Sequence, residues 1–280
     1  MNIKIISDST CDLSRELLEK YEITLMPLHV VKDGKTYSDG IDIVPADIFR
    51  HVAEGGDLCT TAAINIGEYA ELFAQYAHDY DGVLHINISS EFSSCYQNAC
   101  LAAEEFDNVR VVDSRNLSTG QGLVVLKACE LAKTCESLEQ LQADVSAFTE
   151  KVEASFVLDQ LQYMVKGGRC SAVAALGANL LNLKPCIEVK NGKMGVVKKY
   201  RGNFTKSLTN YIKDRLADRD DLDRGTLFVT RTPVSDECLK TVADTVAQYG
   251  DFENIYWTEA GCTVSCHCGP STLGVLFVRK

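Results

Sequence analysis

Hydroxyl and thiol side chains are concentrated in the segment SSEFSSCYQNA, residues 89–99, directly after the apolar segment GVLHINI. Ser93 in this segment could act as a nucleophile, with His267 as its base, in a serine acyl hydrolase. The nucleophile elbow of many such enzymes has the pattern Gly-x-Ser-x-Gly, and both glycines are absent around Ser93. No residue is identified as the carboxylate that orients the base, so this hypothesis rests on residue types alone.

A second group of reactive side chains, CTVSCHCGP at residues 262–270, holds three cysteines and His267. Thiolates and imidazoles are zinc ligands, and this segment would supply half of a zinc site. Consecutive side chains point to opposite sides of an extended chain, which makes the spacing of Cys266, His267 and Cys268 poor for one metal. No Cys-x-x-Cys pair completes four ligands. We therefore predict no metal, and the small residues around Gly269-Pro270 indicate a loop.

Two glycine-containing stretches match nucleotide-binding loops only in part. DGKTY, residues 33–37, predicts a turn, because His29 stands where a phosphate-binding loop needs its upstream glycine. GQGLVV, which begins at Gly120, has two of the three glycines of the dinucleotide fingerprint, with Val125 at the third position. We predict no cofactor, and a phosphotransferase that acts alone stays an alternative that would require ATP binding.

The overall composition is that of a globular protein with ample material for a core. The chain has 280 residues, of which 46 % are hydrophobic and 24 % charged, and this length predicts two domains. A net charge of −11 argues against nucleic-acid binding. The start lacks the features of a signal peptide, and no segment approaches the ~18 apolar residues of a membrane span. We expect a cytoplasmic protein whose twelve cysteines are reduced and mostly buried as small hydrophobic residues.

The predicted elements that position Ser93 lie in the first half of the chain, where strand and helix signals alternate. IKII and ITLMPLHVV predict strands, and DLSRELLEKY predicts a helix with Asp12 as its N-cap. The further predictions are helices from Pro45, over GEYAELFAQYAHD, from Phe92 and over STGQGLVVLKACELAK, with the strands GVLHINI and VRVVD. This alternation is typical of a parallel sheet covered by helices on both faces. We predict that residues 1–150 form such an α/β domain.

The predicted elements that position His267 lie in the second half of the chain, which has a different pattern. PCIEVKNGKMGVVKKYRG predicts a hairpin with an Asn-Gly turn. The other predictions are the short helices QLQYMVKGGR and AVAALGANLLN, helices from Phe204 and Ser235, and the strands ASFVLD, TLFVTR, NIYWTEA and GVLFVRK. We predict a mixed α/β domain over residues 151–280.

Six stretches, in the same order and across nearly the whole chain, resemble the motifs of the DegV family. They are IISDSTCDL, TTAAINIGEY, SSEFSSCYQNA, VVDSRNLSTGQG, MVKGGR and HCGPSTLG. The DegV family includes the fatty-acid-binding subunits of bacterial fatty acid kinase. The resemblance implies two α/β domains, with a long-chain fatty acid in a buried tunnel in the cleft between them.

The resemblance also implies a role and a site. The chain would be a lipid-binding protein and not an enzyme by itself: a separate kinase protein would phosphorylate the fatty acid's carboxylate, and the acyl-phosphate would enter phospholipid synthesis. Transient exchange with membrane lipid is a further expectation. Thr61, Ser93 and His267 match the carboxylate-binding positions. Arg169, after Gly-Gly, and Arg201 are the residues expected to face the kinase.

The sequence departs from the family's pattern beside two of these positions. The family's Ser-Gln-Pro-Ser is replaced by Ala62, Ala63, Ile64 and Asn65, and Ser94 and Cys95 replace the Gly-Thr that follows the serine at 93. Because two hydroxyls are lost, Asn65 or Ser94 could supply a donor instead. Phe92 is an additional expected ligand contact.

The chemistry of a fatty acid agrees with such a site. Each buried methylene contributes about 0.8 kcal/mol, so the tail favours an apolar tunnel, for which Phe92 and AVAALGANLL are candidate walls. The carboxylate needs donors, and hydroxyls, a histidine and the amides of the helix near Phe92 supply them without a full countercharge. We expect that such donors leave the carboxylate nucleophilic enough for phosphorylation.

Overall fold

The computed structural model describes residues 1–175 and 183–280. The strands of these residues are β1 (Ile3–Asp8), β2 (Thr24–Met26), β3 (His29–Lys32), β4 (Lys35–Ser38), β5 (Thr60–Ala62), β6 (Gly82–Asn87), β7 (Val109–Asp113), β8 (Val152–Leu158), β9 (Leu183–Lys190), β10 (Lys193–Arg201), β11 (Leu222–Arg231), β12 (Asn254–Glu259) and β13 (Thr272–Arg279). The helices are α1 (Arg15–Lys20), α2 (Pro45–Ala53), α3 (Ile66–Ala77), α4 (Cys95–Ala103), α5 (Ser118–Leu131), α6 (Leu138–Phe148), α7 (Gln162–Gly167), α8 (Ser171–Ala174), α9 (Phe204–Leu216), α10 (Asp236–Tyr249) and α11 (Cys262–Cys268).

The first half contains a four-stranded sheet in the order β2-β1-β6-β7, in which all strands are parallel. Every residue of β6 is buried, as expected for a central strand covered by helices on both faces. The chain leaves β1 toward one edge and β6 toward the other, so the order of strands reverses between them. Ligands of open α/β sheets bind beside the carboxyl ends of the strands at such a reversal.

The second half contains a six-stranded mixed sheet in the order β10-β9-β8-β13-β11-β12. Its β9–β10 hairpin has the predicted Asn-Gly turn, with positive φ angles of 52° at Asn191 and 79° at Gly192. The two sheets therefore confirm the predicted fold class, with a parallel first sheet and a mixed second one. They lie on either side of residue 150, and the boundary at that residue stays a prediction.

A three-stranded antiparallel sheet, β4-β3-β5, was not predicted. The segment ITLMPLHVV forms two short strands in different sheets, because Pro27 has no N–H to continue a ladder of hydrogen bonds. In this small sheet Thr61 of β5 lies opposite Val30 of β3. The unpredicted sheet therefore holds one of the proposed carboxylate-binding residues.

Three local predictions are wrong, and one helix was not predicted. Asp12 is not an N-cap, because it adopts a positive φ of 50° after a 3₁₀ turn, and Ser14 caps α1 instead. The helix expected from Phe92 begins at Cys95. The helix α6 was missed, and CTVSCHC forms helix α11 and not a loop. The loop prediction failed because small residues and cysteines give little helix signal, while the stabilising contacts of α11 come from distant residues.

The helix AVAALGANLLN is described only in part. Its first residues form α8, and residues 176–182 lie outside the described residues, so the predicted tunnel wall there stays a prediction. No helix within residues 1–175 and 183–280 combines the length and the hydropathy that crossing a membrane requires.

Candidate functional site

A narrow cavity lies at the carboxyl end of β6 and is lined from both halves of the chain. The lining residues are Leu28, Thr61, Ala62, Ala63, Ile88, Phe92, Ser93, Leu117, Met164, Arg169, Met194, Thr263, Val264, His267 and Cys268. The cavity has a volume of about 60 Å³. Its polar side chains are few and its remaining walls are apolar, which is the usual composition of a small-molecule site.

The segment after β6 is held by a buried carboxylate beneath the cavity. Asp8, at the end of β1, accepts hydrogen bonds from the Tyr69 hydroxyl at 2.8 Å, from Asn87 Nδ2 at 3.0 Å and from the Ile88 amide at 3.0 Å. Asp8 is fully buried, so these donors satisfy a carboxylate that has no contact with water. The network fixes the direction in which the chain leaves β6 toward Phe92 and Ser93.

Helix α11 is fixed by two aspartates from the other half of the chain. Asp39 accepts from the amides of Cys262 at 2.8 Å and Thr263 at 3.0 Å, and Asp12 accepts from the Gly261 amide at 2.9 Å. These amides are the ones that a helix leaves unpaired in its first turn. Burial raises the pKa of the Asp12 carboxyl to about 8, against the opposing effect of its hydrogen bonds. The first half of the chain thus positions the helix that carries His267.

Thr61 and His267 are in direct contact, although 206 residues separate them in sequence. Thr61 Oγ1 lies 2.8 Å from His267 Nε2. Which atom donates depends on the tautomer of the imidazole. The structure therefore brings two of the three predicted carboxylate-binding residues together.

The His267 imidazole is neutral at physiological pH. Burial, with a smaller contribution from the Arg169 cation, lowers the pKa of His267 to about 4. Its other ring nitrogen, Nδ1, has no hydrogen-bond partner among the described residues. Gly167 packs against that nitrogen so closely that a Cβ at this position would lie 2.2 Å from it. Gly167, the first glycine of the MVKGGR stretch, is therefore needed for the close approach of α7 to the imidazole.

Ser93 lines the same cavity and lies just before α4. Its Oγ accepts from the Cys95 amide at 3.2 Å and lies 3.1 Å from Cys95 Sγ, to which it can donate. Among the described residues the hydrogen bond of His267 is made with Thr61 and not with Ser93. A serine hydrolase needs its base hydrogen-bonded to the nucleophile. The geometry therefore gives no support to the hydrolase alternative.

Arg169 was expected to face a partner, and the structure also places it at the cavity. Its guanidinium donates to the carbonyls of Gly167 at 2.7 Å and of Phe92 at 3.4 Å, and the residue remains exposed. The expectation of neutral donors without a countercharge is therefore incomplete. An anion bound beside His267 would lie near a positive charge that also reaches solvent.

Three further predicted contacts lie apart from the cavity lining. Asn65 caps α3 by accepting from the Glu68 amide at 3.0 Å. Ser94 is exposed at the start of α4, and Arg201 is exposed at the end of β10. Phe92, in contrast, is buried and lines the cavity. Neither Asn65 nor Ser94 lines the cavity, so neither is placed to replace the hydroxyls lost at positions 62 and 65.

Thr263 is a site residue that the sequence analysis missed. It lies one helical turn before His267 on α11, it is buried, and its hydroxyl has no hydrogen-bond partner among the described residues. A buried hydroxyl without a partner is uncommon, and a ligand in the cavity would supply one. The signal was the i, i+4 spacing of Thr263 and His267, which places two residues on the same face of a helix. It was missed because the segment was interpreted as a loop.

A second, smaller cavity of about 30 Å³ adjoins the first one. The two share Leu117, Val264 and Cys268 in their linings. The second cavity extends toward Phe156 and Leu276 of the mixed sheet. Together they mark a path from the polar end at Thr61 into the second half of the chain.

In residues 1–175 and 183–280, no cluster of three or more His, Cys, Asp or Glu has the arrangement of a metal site. All twelve cysteines carry free thiols.

Comparison with known proteins shows the family to which the sequence is similar. The sequence matches the model of the DegV family, described as uncharacterised proteins, over residues 2–280. A DegV domain-containing protein of Clostridium acetobutylicum is 32% identical over 281 residues, which cover 99% of both chains. The structure of a fatty-acid-binding DegV family protein of Thermus thermophilus superimposes with a TM-score of 0.91 at 30% identity and covers 100% of both chains. The stearic-acid-binding protein of Eubacterium ventriosum has a TM-score of 0.83 at 29% identity, covering 99% of this chain and 98% of that one.

Proposed function

The chain belongs to the DegV family, and from this and the geometry of the cavity we propose that it binds a long-chain fatty acid. The carboxylate would lie at Thr61, Ser93 and His267, and the alkyl chain would follow the apolar walls. The observation that carries the proposal is the contact between Thr61 and His267 at the polar end of a cavity lined mainly by apolar side chains. The fatty-acid-binding relatives of the same fold support it.

Protein side chains of three kinds can donate hydrogen bonds to the head group of the fatty acid. The Thr61 and Ser93 hydroxyls and the neutral imidazole can donate hydrogen bonds, and the Arg169 guanidinium adds a charge at the solvent side. A hydrogen bond to a charged group contributes about 1.5–3 kcal/mol, and loss of one donor leaves part of the carboxylate desolvated without compensation. We therefore expect the site to retain the ionised form of the acid.

The tail requires more room than the cavity provides in this structure. Sites for small molecules usually have volumes of roughly 300–1,000 Å³, far above the 60 Å³ between these walls. Met164 and Met194 line the cavity, and methionine is the side chain that adapts most readily to a new packing partner. The tail would displace these side chains and continue into the adjoining cavity, with each buried methylene contributing about 0.8 kcal/mol.

A direct test is the extraction of lipid from the purified protein. Organic extraction and mass spectrometry should release close to one fatty acid per chain. Thr61→Ala should reduce this amount because the carboxylate loses a donor, whereas Thr60→Ala, at an exposed position of the same strand, should retain it. Ser93→Ala and Ser94→Ala form a second matched pair, since Ser94 is exposed and lies outside the lining.

Two results would contradict the proposal. One is a protein that carries no fatty acid and takes none up from solution. The other is turnover of a model ester that Ser93→Ala abolishes, because this would establish the hydrolase alternative.

We further propose that the bound carboxylate is presented to a partner kinase, which forms the acyl-phosphate. The support is the position of Arg169, which lines the polar end of the cavity while it remains exposed. With ATP and the fatty acid kinase protein of the same organism, hydroxylamine trapping should detect acyl-phosphate. Arg169→Ala should slow its formation by about tenfold or more, by loss of a charged hydrogen bond, while Arg15→Ala, at an exposed position of α1, should not. Equal rates for both variants would exclude this role of Arg169.

A further inference from the structure

A second concave surface, which we call the lysine cleft, lies at the opposite end of β1 from the candidate site. Its volume is about 660 Å³, and it shares no lining residue with the fatty-acid cavity. Residues Ile3–Ile5 at the start of β1 line it, whereas Asp8 at the end of β1 holds the chain beneath the fatty-acid cavity. The six residues of this strand separate the two sites by roughly 15–20 Å.

Lys4 is the most unusual residue of this cleft. Only 8% of the residue is exposed, and its ammonium donates to the Glu22 carbonyl at 2.7 Å. The same ammonium lies 5.1 Å from the centre of the Tyr76 ring and 5.9 Å from that of Tyr80. Buried charges are usually paired with an opposite charge. Here one carbonyl and two aromatic rings replace a carboxylate.

Two more lysines approach the same part of the chain. Lys20 Nζ lies 5.2 Å and Lys133 Nζ 5.8 Å from the centre of the Tyr21 ring. Among the described residues, the lysines that pair with carboxylates are Lys127, Lys184, Lys193 and Lys198. Lys4, Lys20 and Lys133 all line the cleft and are not among them, so within the described residues none of these three ammonium groups pairs with a carboxylate.

A structural role explains only part of this arrangement. Cations near the end of α1 interact favourably with its last carbonyls, and Lys4 donates to the carbonyl of Glu22, two residues beyond the end of this helix. That bond uses one of the three donors of Lys4 and none of Lys20 or Lys133. The Glu22 carboxylate also lines the cleft, and against three lysines it leaves an excess of positive charge in a chain whose net charge is −11.

We propose that the lysine cleft binds a soluble, phosphate-bearing small molecule. Lysine ammonium groups bind phosphate well as point charges, and three of them match a group with several negative charges. The volume of the cleft falls in the range of roughly 300–1,000 Å³ that is usual for such ligands. Its concave shape fits a compact ligand better than the flat surface of a bilayer.

Isothermal titration of the full-length protein with pyrophosphate, at low ionic strength, tests the proposal. One saturable site per chain is expected. The double variant Lys20→Gln/Lys133→Gln should bind about tenfold more weakly or worse, because two charged contacts are removed. The control Lys35→Gln/Lys199→Gln loses the same charge at exposed lysines outside the cleft and should bind like the parent. Lys4 is left unchanged because it is buried, so that its replacement would also affect the stability of the fold.

Other outcomes overturn the proposal. Absence of saturable binding would show that the cleft does not hold the anion at a site. Equal weakening in both double variants would show that only the overall charge attracts the anion. Binding to phosphatidylglycerol vesicles that pyrophosphate does not compete with would assign the lysines to a membrane surface. The fatty acid content of all variants should equal that of the parent, which distinguishes a failure here from a failure of the fatty-acid site.

Discussion

At the scale of single residues, the candidate site depends on an imidazole that is kept neutral. Most of the His267 ring is shielded from water, Gly167 covers Nδ1, and Thr61 contacts Nε2. A neutral ring can donate to a carboxylate without forming an ion pair. Arg169 is therefore the residue that supplies the positive charge of the site. The burial of His267 thus keeps its ring neutral, and its contacts orient Nε2 toward Thr61.

The lowered pKa of His267 predicts that the stability contributed by this residue falls on mild acidification. The imidazole titrates near its ordinary 6.5 when unfolded and near 4 when folded, so between these values only the unfolded state gains the proton. Stability from this group is complete above pH 6.5 and falls as the pH decreases toward 4. The contribution of His267 to the free energy of unfolding should be smaller by up to about 2 kcal/mol at pH 5 than at pH 7.5, while the raised pKa of Asp12 acts in the opposite direction. Denaturant titrations of the parent and of His267→Gln at both pH values isolate this contribution, because both proteins retain Asp12. An unchanged difference in that variant would contradict the assignment.

The hydroxyl of Thr263 gives a second prediction at this scale. Thr263→Val keeps the shape of the side chain and removes a buried hydroxyl that has no partner in the protein, so the unfolding free energy should be unchanged or slightly higher. If that hydroxyl binds the ligand's carboxylate, fatty acid affinity should fall by about tenfold. Fluorescence titration with a labelled fatty acid would measure it, and Thr60→Val on the exposed side of β5 is the control. Unchanged affinity would remove Thr263 from the site.

At the scale of elements, the position of α11 depends on carboxylates that its own sequence does not contain. Asp39 follows β4 and Asp12 follows the 3₁₀ turn after β1, and both accept from the start of α11. A seven-residue helix is too short to be stable alone, so tertiary contacts must stabilise it. The same contacts determine where His267 lies relative to Thr61.

Loss of Asp39 should therefore affect both stability and ligand binding. In Asp39→Ala the amides of Cys262 and Thr263 lose their acceptor, and the unfolding free energy should fall by about 2–4 kcal/mol. Fatty acid retention should fall as well, because His267 moves with α11. Asp57→Ala removes an exposed carboxylate and is the control for the change in charge. Calorimetry and lipid extraction would measure the two effects, and a stable variant with full lipid content would refute the role of Asp39.

At the scale of the whole molecule, the cavity lined by Thr61, Ser93 and His267 is shared between the two halves of the chain. Thr61 and Ser93 come from the first half, and Met164, Met194 and His267 from the second. A ligand in this position contacts both halves at once, so binding and folding are linked. Arg169 at the cavity and the lysine cleft at the other end of β1 place positive charge at two separate points of an acidic protein.

Removal of the fatty acid should lower the thermal stability of the protein. A ligand present at 100 times its dissociation constant stabilises the folded state by about 2.7 kcal/mol. For a chain of this size the melting temperature should rise by about 5 °C or more when stripped protein is reloaded. The methyl ester of the same fatty acid is the matched control, because it keeps the tail and removes the charge. Equal stabilisation by the ester would place the binding energy in the tail alone and contradict the carboxylate site.

The local elements could largely be predicted from the sequence. Hydrophobic periodicity gave the parallel strands of the first half, and Asn191-Gly192 gave the hairpin, because these signals arise between near neighbours in the chain. The family motifs marked Thr61, Ser93, Arg169 and His267, and all four line one cavity. The small sheet around Val30 and the helix at Cys262 were missed, since their stability comes from distant partners.

The sequence by itself determined which residue types were available: hydroxyls after β6, a histidine before Gly-Pro, and a strongly acidic overall charge. Only the tertiary structure decided which of them meet. It paired His267 with Thr61 and not with Ser93, and it placed Asn65 at the N-cap of α3. It also left the hydroxyl of Thr263, which lines the cavity, without a partner among the described residues. The physical reason is that contacts across some 200 residues depend on how the two sheets and α11 pack together, and no local pattern of residues encodes that packing.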